Sequence, residues 1–474
     1  MDSTAENFDL IVVGAGIAGH STALAAAQAG ARVLLLEKTG QYGGSTAMCG
    51  GAFAFAGTDL QKANGIDDSP ELLEEDLMKA GQYRNDRALV HLYAQRQLDA
   101  WRWLEGLGLH FERVSLSGAQ SVPRNHSIDP NLVLRTLHEH ALATGRVTFR
   151  ANAPVRRLLL REGGDVVEGR AVVGVELVGG ERLLARGGVV LATGGFSRAA
   201  DLIERFVPHL RDARKMGGEG NTGDGLRMAW ALGADLVDMA LAKGTFGAPL
   251  VPVPREQEEN APRLLSAMYR GAIVVNTAAR RFVNESVSYK VIGDRCLEQP
   301  DAKAFQIFDQ QVMDQSAPLP TVVDFRGGLA AGLVAQADSL DELAMKLGLD
   351  AQVLRETVQR YNAACDGLLP DECDRTSLST GYGKPTRIER GPFYGIATTT
   401  GLTSTYSGLR TDTRARVIDV FGDTITGLYA VGEVVGGFHG ETYMSGSSLG
   451  KGCVFGRIAA ADAAARAGVT AAVA

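Results

Sequence analysis

A glycine-rich turn near the start of the chain constrains the fold more than any other feature. Residues 8–13 form a short apolar run that predicts a β-strand, and Gly14-Ala15-Gly16-Ile17-Ala18-Gly19 follows directly. An alanine-rich helical pattern comes next, and Val33–Leu36 predicts a second strand that ends at Glu37. This order is a complete βαβ unit with G-x-G-x-x-G at the turn from strand to helix, which predicts a dinucleotide-binding α/β domain.

The chemistry of this turn favours a bound diphosphate. Gly14, Gly16 and Gly19 let the backbone approach a pyrophosphate at a helix N-terminus, where amides and the helix dipole favour anions. Glu37 lies at roughly the 20-residue spacing of the carboxylate that accepts from ribose hydroxyls. Such a carboxylate repels a 2′-phosphate, so NADP is disfavoured. The alternatives are a tight turn in an unrelated α/β fold and, for Glu37, a solvated charge at a strand end.

A second glycine-rich stretch separates FAD from NAD. Gly43-Gly44-Ser45-Thr46 and Gly50-Gly51 follow soon after Glu37. A flavin lies along more backbone than NAD does, so it explains both stretches. The chain has 58 glycines among 474 residues, well above the usual ~7%. Because each glycine costs conformational entropy, this surplus indicates repeated close approach of backbone to a ligand.

Charge and cysteine usage exclude several classes of protein. The net charge of −7 argues against nucleic acid or an anionic membrane as the main partner. The five cysteines are scattered without a C-x-x-C pair, so we expect no disulfide framework and no metal, haem or iron–sulfur site. No apolar run reaches the ~18 residues of a transmembrane helix, and no basic segment marks a signal peptide. We therefore expect a cytoplasmic protein.

The composition and the predicted secondary structure change at two points along the chain. Residues 146–191 predict a β-meander of short strands. Residues 245–388 carry prolines, helical stretches and a charged loop, 255–263, that we interpret as solvated. An apolar strand pattern returns at 427–433, and an alanine-rich terminal helix is predicted from Arg457. We therefore predict an insertion, which divides the chain into 1–244, 245–388 and 389–474.

Further motifs recur in order along the chain. They are Glu37-Lys38, Leu191-Ala192-Thr193-Gly194-Gly195, Asn221-Thr222-Gly223-Asp224-Gly225, Arg281-Phe282-Val283-Asn284-Glu285, Gly432-Glu433, and Gly446-Ser447-Ser448-Leu449 with Phe455-Gly456-Arg457. With the two glycine stretches, they resemble the FAD-dependent succinate dehydrogenase/fumarate reductase flavoprotein family over nearly the whole chain. The resemblance implies an α/β fold, with a Rossmann-like FAD-binding domain containing a β-meander and an inserted α+β capping domain. In that family, the substrate lies between cap and flavin.

The resemblance also implies a set of FAD-binding residues. Asp224 and Glu433 match groups that contact ribityl or ribose hydroxyls, and His439 lies in a loop near the flavin. The full predicted set is Gly14, Ala15, Gly16, Ala18, Gly19, Glu37, Lys38, Gly43, Gly44, Ser45, Thr46, Gly50, Gly51, Val155, Ala192, Thr193, Gly194, Asp224, Gly432, Glu433, His439, Ser447, Ser448 and Leu449.

Departures from the family pattern carry information about the substrate. Members with covalent FAD have a histidine where this chain has Ser45, so noncovalent FAD is expected. Fumarate reductases have an arginine proton donor where this chain has Tyr289, and a histidine pair where it has Thr403 and Ser404. A further arginine is replaced by Tyr443. Because dicarboxylates need charged, bidentate clamps, these changes argue against a C4-dicarboxylate substrate.

The same positions resemble the ketosteroid dehydrogenase branch of the family. Tyr289 matches a catalytic tyrosine motif, and Tyr443 with Ser445 resembles the Tyr-x-Ser of 3-ketosteroid Δ4-dehydrogenases. The resemblance implies that Tyr443 binds the substrate carbonyl, while Tyr289 and Ser445 abstract or relay the α-proton. We do not choose between these two as the base. A role in packing alone is the alternative reading of the tyrosines.

The expected activity is an FAD-dependent dehydrogenation that forms a C=C bond next to a ketone. A 3-ketosteroid is the first substrate candidate and a smaller cyclic ketone the second. A reductase that acts on an enone or other activated alkene, and a flavin-binding electron carrier, remain alternatives. Electrons would leave to a quinone, a carrier protein or oxygen. We expect His126, His138 and His140 to be solvated.

Overall fold

The computed structural model describes residues 8–161, 171–252, 262–318, 321–378 and 383–469. Its helices are α1 (Ile17–Gln28), α2 (Gly44–Ala47), α3 (Asp59–Ala63), α4 (Pro70–Ala80), α5 (Arg87–Gly106), α6 (Pro130–Ala143), α7 (Ala200–Phe206), α8 (Asp224–Trp230), α9 (Tyr289–Leu297), α10 (Gln310–Met313), α11 (Phe325–Ala330), α12 (Leu340–Leu347), α13 (Ala351–Cys365) and α14 (Ser447–Arg466).

The strands of the same residues form several sheets. They are β1 (Leu10–Val13), β2 (Val33–Leu36), β3 (Ala52–Ala54), β4 (Arg113–Ser115), β5 (Asn125–Ser127), β6 (Val147–Arg150), β7 (Val155–Leu160), β8 (Val172–Leu177), β9 (Arg182–Leu184), β10 (Val189–Leu191), β11 (Arg214–Lys215), β12 (Leu236–Val237), β13 (Thr245–Pro249), β14 (Ile273–Val275), β15 (Ala304–Asp309), β16 (Ala335–Ala337), β17 (Phe393–Leu402), β18 (Gly408–Leu409), β19 (Arg416–Ile418) and β20 (Thr424–Ala430).

The main sheet has the strand order β19-β20-β10-β1-β2-β6. All neighbours pair in parallel except the edge strand β19, which is antiparallel to β20. Every residue of β1 and β2 is buried, which explains their continuous apolar runs, because a parallel sheet is covered on both faces. With α1 between them, these strands confirm the predicted βαβ unit.

The predicted meander divides between two sheets. β7, β8 and β9 pair antiparallel in a small sheet of their own, whereas β6 and β10 join the main sheet. The part of the predicted meander at 162–170 lies outside the described residues.

The second large sheet is built around β17. Its order is β11-β17-β15-β14, and β13 and β16 also pair with β17. β17 begins after residue 388, so the sheet joins strands from the predicted insertion to strands on either side of it. The insertion boundaries themselves stay a prediction. The helical stretches predicted within the insertion correspond to α12 and α13.

The terminal helix is longer than predicted. α14 begins at Ser447, ten residues before the expected start at Arg457, because Gly446 takes a left-handed φ of 84° and turns the chain into the helix. The residues of α14 that precede Arg457 are largely buried. A Cβ on Gly456 would lie 2.8 Å from Ala18 O of α1, so the two helices are in close contact. In the part of the chain described, no helix combines the length and apolarity needed to cross a membrane.

Candidate active site

A cavity of about 1800 Å³ begins at the carboxyl edge of the main sheet. The segments that follow β1, β2, β10 and β20 line one part of it, as expected for a ligand site in a parallel α/β sheet. Residues from β13, α9 and the start of α14 line another part. The cavity is therefore enclosed by segments that are distant in sequence.

The first glycine turn, residues 14–19, is held by backbone packing and by two side chains. Gly14 has a φ of +104°, and a Cβ there would lie 2.3 Å from Ala192 O. Glu37 Oε2 accepts a hydrogen bond from Ala15 N at 3.1 Å. Thr46 Oγ1 accepts one from Ile17 N at 3.1 Å. The turn is thus fixed against β10, with its amides at the cavity wall.

A second polar network joins Ser45 of α2 to Glu433 in the segment after β20. Ser45 Oγ accepts from Gly218 N at 3.0 Å and from Asn221 Nδ2 at 3.1 Å. The same Asn221 amide group donates to Glu433 Oε2 at 3.1 Å, and Thr405 N donates to Glu433 Oε1 at 2.8 Å. Burial raises the pKa of Glu433, although these bonds partly oppose the shift. The network positions both Ser45 and Glu433 on the cavity wall.

Lys38 and Asp224 form an ion pair in the same wall. Lys38 Nζ donates to Asp224 Oδ2 at 2.7 Å and to Thr222 Oγ1 at 2.6 Å. Asp224 is the first residue of α8. The ion pair therefore connects the start of α8 to the segment after β2, although the two are far apart in sequence.

Several residues of the cavity wall have a buried polar atom without a hydrogen-bond partner among the described residues. Thr193 Oγ1 and His439 Nδ1 are two of these atoms. Burial lowers the pKa of His439 well below its ordinary value, so its ring is neutral. Since buried polar atoms are normally satisfied, these two atoms indicate that a polar ligand belongs in the cavity.

The predicted reaction residues come together at the other part of the cavity. Tyr289, the first residue of α9, places its hydroxyl 3.5 Å from Ser445 Oγ. Ser445 N donates to Gly118 O at 3.1 Å, so the loop that carries Gly118 lies against the pair. Residues that are 156 positions apart in sequence thus share one hydroxyl contact.

Tyr443 lies beside this pair with its phenol oxygen held from one side. That oxygen accepts from Gly446 N at 3.1 Å. Its ring is parallel to Tyr406, with centroids 6.0 Å apart, and the His439 ring is 5.3 Å away. Burial raises the pKa of both Tyr289 and Tyr443. Both phenols are therefore protonated at neutral pH and able to donate, and neither has the lowered pKa that a resting tyrosine base requires.

The structure places nearly all of the predicted residues around one cavity. Besides Tyr289, Tyr443 and Ser445, those in the lining are Gly14, Ala15, Gly16, Ala18, Glu37, Lys38, Gly43, Gly44, Ser45, Thr46, Gly50, Val155, Ala192, Thr193, Gly194, Asp224, Gly432, Glu433, His439, Ser448 and Leu449.

Three predicted cofactor residues lie behind the lining instead. A Cβ on Gly19 would lie 1.8 Å from Gly14 O, so this glycine permits contact of α1 with the turn. A Cβ on Gly51 would lie 1.8 Å from Ile128 O. Ser447 is buried and donates from Oγ to Met444 O at 2.7 Å. Each of them serves local packing or capping.

Comparison with known proteins decides the family. The sequence pattern of the FAD binding domain family matches residues 9–449. The chain belongs to this family. FAD is its cofactor, and the flavoprotein is an oxidoreductase that acts on carbon–carbon bonds.

Its relatives include both reductases and dehydrogenases. A fumarate reductase (cytochrome) of Shewanella frigidimarina is 32% identical over 465 residues, which cover 97% of the flavoprotein and 77% of that relative. A 3-oxosteroid 1-dehydrogenase of Mycolicibacterium smegmatis is 29% identical over 568 residues, with 98% of each protein covered.

Solved structures give the same two groups. An open conformation of a flavocytochrome c3 fumarate reductase matches with a TM-score of 0.82 and 30% identity, covering 98% of the flavoprotein and 79% of that chain. A 3-ketosteroid-Δ4-(5α)-dehydrogenase from Rhodococcus jostii RHA1, in complex with 4-androstene-3,17-dione, matches with a TM-score of 0.73 and 28% identity, covering 98% of both chains.

The cavity of the flavoprotein fits FAD by its donor set. The amides of the first glycine turn suit a diphosphate at the start of a 12-residue helix. Glu37, Asp224 and Glu433 offer carboxylates to hydroxyl groups, and the unpartnered Thr193 and His439 atoms offer further contacts. Cβ atoms on Gly44 and Gly50 would meet nothing within 4 Å, so this part of the wall has space for a ligand.

Sequence patterns did not single out several residues that line the flavoprotein's cavity or lie directly behind its lining. Lys290 is buried beside the tyrosines, and Tyr406 stacks on Tyr443. Gly118 covers the Tyr289–Ser445 contact. A lysine after a tyrosine is typical of a solvated helix position, so local pattern carried no signal for Lys290. Arg263 lines the cavity although it was interpreted as part of a solvated loop; residues 255–261 of that loop lie outside the described residues.

The expectation of solvated histidines is wrong for two of the three. His126 is fully buried in β5, where Nε2 lies 2.8 Å from Thr58 Oγ1. His138 Nδ1 lies 3.1 Å from His20 Nε2, and its ring stacks on Tyr42. Only His140 is exposed as expected. Short strands and helix faces buried by distant elements account for the difference.

Proposed function

We propose that the flavoprotein introduces a C=C bond between the α and β carbons of a ketone, with a 3-ketosteroid as the first candidate and a smaller cyclic ketone as the second. The observation that carries the proposal is the 3.5 Å contact between the hydroxyls of Tyr289 and Ser445, in the cavity that Tyr443 also lines. Three hydroxyl groups converge there, which suits a neutral carbonyl substrate.

Tyr443 is the group that binds the ketone oxygen. Its phenol accepts from Gly446 N, so its own proton remains available to a substrate oxygen. Removal of an α-proton develops negative charge on that oxygen, and a fixed donor stabilises this charge. A neutral phenol also costs less to bury than an ammonium or guanidinium.

Tyr289 and Ser445 take the α-proton. Because burial raises the pKa of Tyr289, its phenol must pass its own proton on before or as it accepts one. The Ser445 hydroxyl, in contact with it, is placed to relay that proton. Which of the two faces the substrate carbon is left open.

Bound FAD would accept the β-hydride at the flavin N5 position. The first glycine turn, Glu37, Asp224 and Glu433 would hold the cofactor, with Thr193 and His439 as further partners. We propose that the electrons then leave to an external quinone, carrier protein or oxygen.

A second candidate is reduction of an enone or another activated alkene by the same residues. Its support is the name of the relatives at 32% identity, fumarate reductase. Reduction of a C4-dicarboxylate itself is disfavoured, because Tyr289, Ser404 and Tyr443 occupy positions where a charged clamp would be needed. Arg263 and Arg270 do line the cavity, so anionic alkenes belong in the test.

The test is an anaerobic screen of cyclic ketones that follows loss of the oxidised flavin absorbance. A 3-ketosteroid or smaller cyclic ketone is expected to bleach the flavin, and Tyr289→Phe is expected to slow the bleaching ~10²-fold or more. If reduced enzyme instead saturates enones rapidly while no ketone bleaches the flavin, the dehydrogenase direction is wrong. If neither reaction occurs, the carbonyl substrate class is wrong.

A further inference from the structure

A buried lysine lies beside the reaction residues without an assigned role. Lys290 is 2% exposed. Its Nζ donates to Thr245 Oγ1 at 2.6 Å, and Thr245 Oγ1 lies 3.1 Å from Thr403 Oγ1. All three residues line the cavity, so the amine is connected to it by hydroxyl groups.

The surroundings of this amine are mostly aromatic. Lys290 Nζ lies 5.4, 5.2 and 5.8 Å from the ring centroids of Tyr289, Tyr406 and Tyr443. Among the described residues, the charged groups that influence it are Asp294, Glu433 and Lys243, none of which forms an ion pair with it. An unpaired buried ammonium is costly, and burial lowers the pKa of Lys290 to about 7. The neutral amine is therefore accessible near neutral pH. The buried imidazole of His439 also faces Lys290, but remains neutral in this range.

A second, smaller cavity of about 420 Å³ lies against the C-terminal part of α9, one turn beyond Lys290. Its lining includes Lys243, Asp294, Glu298 and Glu441. Asp294 Oδ2 accepts from Lys243 Nζ at 3.1 Å. The Asp294 side chain is 28% exposed, yet its Oδ1 is buried and has no hydrogen-bond partner among the described residues. One carboxylate thus has an oxygen on the open side and another directed into the protein.

α9 connects the two cavities. Lys290 and Asp294 are four residues apart on this helix, so their side chains lie on the same face one turn apart. Lys290 belongs to the lining of the large cavity and Asp294 to that of the small one. The amine of Lys290 and the carboxylate of Asp294 therefore lie in sequence between the reaction site and the second cavity.

We infer that Lys290 and Asp294 carry protons between the reaction cavity and the second cavity. This role rests on the proposed function, in which the α C–H bond breaks and its proton enters the Tyr289–Ser445 pair. The proton then passes through cavity hydroxyls or water to the Lys290 amine and forms an N–H bond. The resulting ammonium returns to the amine by giving a proton to the Asp294 carboxylate, which releases it to water. No electrons move in these steps, and both groups end in their starting states.

The kinetic test follows single-turnover flavin bleaching by a ketone substrate of the holoenzyme as a function of pH. Because the amine accepts a proton only when neutral, the rate is expected to rise with pH through about 7. Lys290→Arg retains a hydrogen bond donor to Thr245 but cannot release a proton, so it should lose this rise and be at least ~10-fold slower above neutral pH. Asp294→Asn should be slowed to a similar extent.

The matched control is Glu298→Gln, which removes another carboxylate from the lining of the second cavity. Glu298 pairs with Arg295 on the surface at 2.9 Å, so the rate and its pH profile should not change. Wild-type behaviour of Lys290→Arg would overturn the inference. Equal rates for Asp294→Asn and Glu298→Gln would do the same for the path through Asp294.

A second measurement needs no substrate. ¹³Cε-lysine NMR of the holoenzyme should show a lysine that titrates near neutral pH and disappears in Lys290→Arg; the similarly shifted Lys451 is assigned with Lys451→Arg. Because Asp294 favours the charged amine, Asp294→Asn should lower the Lys290 pKa further, and Glu298→Gln should not. A Lys290 that titrates as an ordinary lysine overturns the inference. Absence of any ketone turnover with a shifted Lys290 would instead count against the proposed function.

Discussion

At the scale of single residues, the proposed reaction site has phenols at positions where the family resemblance implies charged groups in fumarate reductases. In its proposed role Tyr443 donates a hydrogen bond without carrying charge, and its position is fixed by Gly446 N and by stacking on Tyr406. Its raised pKa keeps the proton on the oxygen at neutral pH. A donor of this kind is strongest where charge develops only during the reaction.

Tyr443→Phe should therefore slow ketone-dependent flavin bleaching by ~10²-fold, because one donor to the developing enolate is lost. The flavin spectrum and the amount of bound FAD should not change, since the ring and its stacking remain. Stopped-flow absorbance measures the rate. Tyr83→Phe is the control, because Tyr83 is exposed and its hydroxyl donates to Glu75 on the surface; equal rates for the two variants would contradict the role of Tyr443.

Sequence reasoning located these tyrosines together with Ser445 and His439, but it missed the neighbouring Lys290, for a physical reason. Tyr289 and Tyr443 stand within ordered motifs, so position along the chain was sufficient. The burial of Lys290 depends on Thr245, which is 45 residues away, and on rings from two other segments. No local pattern encodes that packing.

At the scale of elements, the loop around Gly118 shapes the reaction site through the small size of this glycine and through Gln120, whose Nε2 donates to Ser445 O at 2.9 Å. A Cβ on Gly118 would lie 3.3 Å from both Ser445 Oγ and Tyr289 Cε1. The absence of a side chain there allows the two hydroxyls to meet.

Gly118→Ala should reduce kcat several-fold by displacing Tyr289 or Ser445, because a contact of this length requires the neighbours to move. FAD binding should be retained. Gly106→Ala is the matched control, since a Cβ there meets nothing within 4 Å. Steady-state assays of both variants decide the matter, and an unchanged kcat in Gly118→Ala would show that the contact tolerates the methyl group.

The contact of α14 with α1 is the second element on which the site depends. A side chain at Gly456 would meet Ala18 O at 2.8 Å and Thr22 Oγ1 at 3.0 Å. Since α1 begins at the first glycine turn, displacement of α14 reaches the cofactor site.

Gly456→Val should destabilise the protein by about 1–3 kcal/mol through overpacking and should weaken FAD binding. Thermal unfolding and flavin fluorescence measure the two effects. Ala465→Val, at an exposed position of the same helix, reports the cost of valine in a helix alone. If Gly456→Val destabilises the protein no more than Ala465→Val does, the close contact between α1 and α14 does not contribute to the free energy of unfolding.

Individual helices and strands were predicted better than the pairing and packing between them. The βαβ unit, α12 and α13 follow from local periodicity, because hydrophobic spacing is a local signal. The start of α14 and the pairing of β17 with β11 and with strands of the predicted insertion depend on contacts between distant segments. These could not be derived from any one window of sequence.

At the scale of the whole molecule, one extended cavity brings nearly all of the predicted cofactor residues together. Ser45 stands where members with covalent FAD have histidine, and its hydroxyl is engaged with Gly218 and Asn221. The attachment of the flavin should therefore be noncovalent.

Acid precipitation of the holoenzyme should release all of its FAD into the supernatant, because denaturation removes every contact that holds it. Absorbance of supernatant and pellet measures the distribution. Heat denaturation at neutral pH serves as the control for acid-labile linkages. Flavin that stays with the precipitated protein after both treatments would show that FAD is bound covalently, through a residue that the comparison at Ser45 does not identify.

The main sheet is completed by β20, and α14 packs against α1 at the first glycine turn. These late segments affect the order in which the protein folds during synthesis. β1 and α1 leave the ribosome before β20 and α14, which begin about 400 residues later. The cavity wall that contains Glu433, Tyr443 and Ser445 does not exist until those segments have emerged. The full set of cavity contacts therefore forms only after α14 has emerged, and until β10 has paired with β1 and β20 with β10, the apolar strands of the early βαβ unit are incompletely covered.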